Sequence, residues 1–169
     1  MDMDDGTHTL QVALQENVLM IGWRGVNVAE ILSKGGSEEE LKKELKNALL
    51  EEGYEGNVDI SYSVGALWRF GREMQVGDYV VVPHEDHFYV AEVAGPAFYL
   101  REAFEYDSAN RRPVWWLNRK QPIPRRLASP ELQSLMRNPQ TIVGPREDLV
   151  EHVEEVLEKA VVERLCQKG

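Results

Sequence analysis

Apolar and polar positions change period several times along this chain, and each change marks an element. Residues 9–14 partly alternate and read as a strand. Residues 18–23, Val-Leu-Met-Ile-Gly-Trp, form an apolar run that suits a second, buried strand. Residues 28–32 read as a short helix, and Gly35-Gly36 breaks the chain. From Ser37 the period becomes helical. Leu41, Leu45, Ala48 and Leu49 share one face, and Ser37 and Glu40 stand at capping-box spacing. Glu38, Glu39 and Glu40 place negative charge in the first turn, where the helix dipole favours it, and Gly53 is the expected stop. This acidic helix reads as a solvated outer element.

Leu67, Phe70 and Met74 predict a second helix over 64–74, with Arg69 and Arg72 on its polar side. Residues 79–83 and 88–93 are β-branched and aromatic around a turn at 84–87, and so form a hairpin. Alternation over 98–106 predicts a half-exposed strand, 107–110 a loop, and 113–117 another strand. Pro122 and Pro124 exclude a helix after it. Ser129 caps a short helix over 130–137, residues 141–143 read as a last strand, and Gly144-Pro145 opens a final amphipathic helix. Strands with short turns, flanked by helices, predict an α+β fold: a small, strongly curved sheet or open β-barrel with helices packed on it. The expected division is one domain over 1–143, with 144–169 a helix that packs on it or links it to an effector.

Composition narrows the class. The chain has 169 residues, 43% of them apolar and 28% charged, which excludes a collagen-like or low-complexity protein. No apolar run approaches the roughly 20 residues of a membrane span, and the acidic start, Met1-Asp2-Met3-Asp4-Asp5, lacks the order of a signal peptide. The single cysteine, Cys166, forms no internal disulfide, so a cytoplasmic location is expected. The net charge of −10 argues against nucleic acid, but its distribution changes the picture. Residues 1–60 carry 13 acids and 5 bases, whereas residues 108–130 hold Arg111, Arg112, Arg119, Lys120, Arg125 and Arg126 and no acid.

Catalytic motifs are missing from the sequence. It has no Gly-x-x-x-x-Gly-Lys-Ser/Thr loop, no Gly-x-Gly-x-x-Gly fingerprint and no Gly-x-Ser-x-Gly elbow. His84-Glu85-Asp86-His87 is dense in ligand types, but its histidines are three apart in a turn with no second cluster, so it reads as a hairpin tip. Glu92 lacks the Glu-x-Lys partner of restriction-type nucleases. The expectation is a protein that is not an enzyme, with no metal and no cofactor. What remains is aromatic. Trp115 and Trp116 are neighbours on one strand and point to opposite faces, so one of them is accessible or lines a pocket. An aromatic face beside cations suits base stacking and phosphate neutralisation; the plainer reading makes the tryptophans packing residues.

Several segments, in order, carry a resemblance: Met20-Ile21-Gly22-Trp23; Gly65-Ala66-Leu67-Trp68-Arg69-Phe70; Met74 through Pro83; Tyr89 through Pro96; and Arg111-Arg112-Pro113-Val114-Trp115-Trp116-Leu117 with Ile123-Pro124-Arg125. Together they resemble the N-terminal domain of Mrr-like and McrB-like modification-dependent restriction proteins and, more distantly, EVE and YTH domains of the PUA-like superfamily. That resemblance spans roughly residues 10–143. It implies a PUA-like barrel that reads a modified, methylated base in DNA by flipping it into an aromatic cage, as part of or partner to a restriction or defence system with a nuclease or NTPase effector. Trp23 falls at a cage position, Trp116 at a position that is either core or cage, and Trp115 beside it. Ser61, Ser63 and Asn27 are candidates for the base edge by position, or else cap and loop residues. Arg111, Arg112, Arg119, Lys120, Arg125 and Arg126 would hold phosphates. Flipping costs a few kcal/mol, stacking returns about 1–3 kcal/mol, and a buried methyl adds about 0.8 kcal/mol. The alternatives are a PUA-like binder of modified RNA or tRNA, and a protein-interaction module that binds no nucleic acid; no membrane partner is expected.

Overall fold

In the computed structural model, which describes residues 7–54, 57–102, 108–137, 141–143 and 147–167, the first element is a helix and not the expected strand. Leu10, Ala13 and Leu14 recur at helical spacing, while Leu10, Val12 and Leu14 in the same stretch fit alternation. Ala13 is the buried one, and Gln11, Gln15 and Glu16, good helix formers, face water. In chain order the elements are α1 (Thr7–Glu16), β1 (Val18–Ile21), α2 (Val28–Ser33), α3 (Glu38–Glu51), α4 (Asn57–Trp68), β2 (Tyr79–His84), β3 (His87–Val93), β4 (Phe98–Tyr99), β5 (Asn110–Trp116), β6 (Ile123–Pro124), α5 (Pro130–Leu135), β7 (Thr141–Val143) and α6 (Glu147–Gln167). The class is α+β, with a curved antiparallel sheet and flanking helices. The chain forms two compact units, residues 1–75 with 95–113 and residues 76–94 with 114–169, so β5 gives its first residues to one and its last to the other.

In the first unit, β1 pairs antiparallel with the start of β5, Val18 opposite Pro113 and Ile21 opposite Asn110. The two-residue β4 pairs with the same stretch, far shorter than the strand expected over 98–106, whose residues 103–107 lie outside the described ones. Ser37 caps α3 by accepting a hydrogen bond from the Glu40 N–H, and Leu41, Leu45 and Leu49 are buried. They pack with Val26, Val28, Leu67 and Trp68, so this acidic helix supplies a core face. Helix α4 begins at Asn57, seven residues before the expected start, and runs into a π-helical turn, Arg69–Glu73, closed by the Met74 N–H on the Arg69 carbonyl at 2.8 Å. Gly71 in that turn lies against Leu32 and Val28 so closely that any Cβ would collide with them.

The second unit is built on the β2–β3 hairpin, turned by Glu85 and Asp86, with Tyr79 opposite Glu92 and Pro83 opposite Phe88. Strand β7 pairs with β2; the end of β5 and β6 pair with β3. Phe88 and Val90 alternate onto the face that α5 and α6 cover, packing with Val81, Ile123, Leu132, Leu149, Val153, Val156 and Ala160. Helix α5 is capped by Ser129 with Pro130 in its first turn. The segment between β5 and α5 winds into short turns over Asn118–Lys120 and Arg125–Leu127, with β6 between them.

Candidate nucleic-acid interface

The expected site residues divide between the two units. Trp23, Asn27, Ser61 and Ser63 belong to the first, Trp115 and Trp116 to the second.

In the first unit Trp23 sits, half-buried, in the loop between β1 and α2 at φ 63°, a left-handed conformation that few bulky residues adopt. Asn110 holds that loop. Buried at the start of β5, it donates from Nδ2 to the carbonyls of Gly22 (3.2 Å) and Val26 (2.8 Å), while its Oδ1 accepts from the Val28 N–H (3.2 Å). The Tyr54 hydroxyl adds a bond to the Arg24 carbonyl. Gly25, at φ 90°, completes the turn where a Cβ would meet Glu52. Asn27 is the cap of α2: its side chain accepts from the Glu30 N–H at 3.0 Å. Ser61 and Ser63 do not precede α4, as expected, but lie within it, Ser61 exposed and Ser63 buried.

Two of the expected phosphate ligands are corrected by their surroundings. Arg111 and Arg112 are only 4% and 5% exposed. Arg111 donates to the Ser108 carbonyl and pairs with Glu16. Arg112 donates to the carbonyls of Gly95 (2.9 Å) and Phe70 (2.8 Å). A guanidinium with five donors in a fixed fork can be buried when carbonyls take its N–H groups, and here it ties separate segments together.

In the second unit the strand rule separates the adjacent tryptophans. Trp116 is buried, edge-to-face on Tyr89 at 6.1 Å; Trp115 is 63% exposed. Trp115 lies opposite Glu92 on β3, and Glu92 opposite Tyr79 on β2. Burial pushes the Tyr79 phenol above its ordinary value, and Glu154 and Glu92 push it the same way. Burial alone raises Tyr89.

Two residues beyond Trp116 the backbone turns left-handed. Asn118, Arg119 and Lys120 have φ of 54°, 55° and 62°, three non-glycine residues in succession. Arg119 and Lys120 are exposed on this turn. Asn118 Nδ2 closes it on the Gln121 carbonyl at 3.1 Å. In the next turn Arg125 is half-buried, and Arg126 is exposed and paired with Glu163 of α6. Sequence reading missed Asn110 and Glu163. Neither carries a local signal, because their partners lie far away along the chain.

Among the described residues, no group of three or more His, Cys, Asp or Glu converges as metal ligands, and no helix is long and apolar enough to cross a membrane. Over residues 2–136 the chain matches the model of a Domain of unknown function (DUF8426). No curated protein and no solved structure matches it.

Proposed function

The chain belongs to the DUF8426 family, to which no activity is assigned, and from its own residues we propose that it binds nucleic acid, with Trp115 as the stacking platform and the turns after β5 as the phosphate contacts. The observation that carries this reading is the exposure of Trp115 at the end of a strand that leads directly into exposed Arg119 and Lys120. A large aromatic left 63% exposed contributes only part of its area to packing. Beside cations its π-face suits a base, and such stacking contributes about 1–3 kcal/mol. Arg119, Lys120 and Arg126 are the exposed cations of these turns and the proposed phosphate contacts; Arg125 is half-buried, and Arg111 and Arg112 are committed to the interior.

The ligand in this reading is DNA that carries a methylated base, taken out of the stack. The chain acts by binding, without catalysis of its own, as the targeting part of a restriction or defence system built on a PUA/EVE-like fold. In the first unit, taken by itself, the half-buried Trp23 in the loop that Asn110 holds is a separate candidate for contact with a base. A second reading has an observation of its own. Glu92 lies opposite Trp115, and a carboxylate beside an aromatic face suits a cationic protein side chain.

Binding of labelled single-stranded and duplex oligonucleotides, with and without modified bases, and of total tRNA decides between these readings. At low salt the wild type is expected to bind DNA, more tightly when the base is methylated, and Trp115→Ala to weaken binding about 5- to 150-fold. Tighter binding to tRNA would move the reading to RNA. Equal affinity for modified and plain DNA would remove the base-reading claim. Binding of basic peptides but of no nucleic acid would establish the second reading.

A further inference from the structure

The basic turns of the second unit carry a carboxylate of their own. Glu163, near the end of α6, pairs with Arg126; the glutamate side chain is 23% exposed and the arginine 64%. The next residue, Arg164, donates from Nη1 to the Asn118 carbonyl of the left-handed turn at 3.5 Å. Consecutive residues of one helix thus fasten onto both turns that follow β5. A carboxylate on a guanidinium takes the same donors that a phosphate would take.

We propose that the end of α6 is a tethered competitor: Glu163 occupies Arg126 until a nucleic-acid phosphate displaces it, so the helix sets the threshold for binding. This rests on reading Trp115 and its turns as a nucleic-acid surface. The exchange requires no unfolding of α6, which stays seated through Val153, Val156 and Ala160. Only two surface side chains change rotamer. An ion pair this exposed shifts an equilibrium by roughly two- to five-fold, enough to set a threshold and too little to close the site.

The test uses the full chain and a labelled single-stranded oligonucleotide across a salt series. Glu163→Gln is expected to bind about two- to five-fold tighter than wild type, with a slope of log affinity against log salt steeper by about 0.7, one additional phosphate contact. Glu158→Gln, an exposed acid on the same helix, removes the same charge and serves as the control. The gain is expected to vanish when Arg126→Ala is added. If wild type binds and Trp115→Ala does not, but Glu163→Gln behaves like Glu158→Gln or keeps its gain without Arg126, the competitor is overturned and the nucleic-acid reading stands. If neither wild type nor Glu163→Gln binds at low salt, both are overturned.

Discussion

Asn110 makes three hydrogen bonds with its amide, two from Nδ2 to the Gly22 and Val26 carbonyls and one at Oδ1 from the Val28 N–H, which together hold the loop that carries Trp23 and the start of α2. A buried group left without its partner costs about 1–3 kcal/mol. Asn110→Ala is therefore expected to lower stability by about 3 kcal/mol in urea denaturation. Asn110→Asp is expected to fare no better, because a carboxylate cannot donate to Gly22 and Val26. Arg112 follows the same logic: its Nε serves the Gly95 carbonyl and its Nη1 the Phe70 carbonyl, a planar fork that the single ammonium of a lysine does not reproduce. The alternation rule made the split between Trp115 and Trp116 legible. It left the burial of Arg111 and Arg112 illegible, because β5 is covered on both faces at its start and the carbonyls that satisfy Arg112 come from positions 70 and 95. Composition counted these two arginines as surface charge, since nothing local marks a carbonyl that arrives from elsewhere.

Elements were legible where cap and period agreed. Ser37 and the Leu41, Leu45, Leu49 stripe fixed α3, Ser129 and Pro130 fixed α5, and the β2–β3 hairpin followed from its β-branched runs. They were misread where two periods fitted the same stretch, as in α1, or where weak helix formers lie inside a helix, as Ser61 and Ser63 do in α4. The left-handed turn at Asn118–Lys120 has no glycine to announce it. An L-residue in that conformation costs about 1–2 kcal/mol, and glycine relieves it at some entropic cost. Arg119→Gly, at φ 55° and ψ 36°, is expected to leave thermal stability unchanged or raise it by up to about 1 kcal/mol. The same substitution is expected to weaken nucleic-acid binding. A clear loss of stability would show that the arginine itself holds the turn.

At the scale of the molecule, a net charge of −10 coexists with a cationic segment, so local placement and not the sum governs which ligand is met. Charge also bears on stability at alkaline pH. Tyr79 and Tyr89 have phenols raised above 10.0 in the folded state. A raised folded value means that the neutral phenol is favoured by folding. Its contribution is complete below pH 10 and lost as pH rises through the folded value. The melting temperature is expected to fall above pH 10, and Tyr79→Phe to flatten that fall. The π-helical turn at Arg69–Glu73 reaches across scales as well. It contains one residue more per turn than an α-helix needs, and Phe70 within it presents the carbonyl that Arg112 grips. Removing any single residue there would let the helix rewind and swing that oxygen about 100° around the axis. Relatives that keep a buried arginine opposite this turn should therefore keep the number of residues between Trp68 and Met74, and a glycine at the place of Gly71, while the exposed positions of the turn vary.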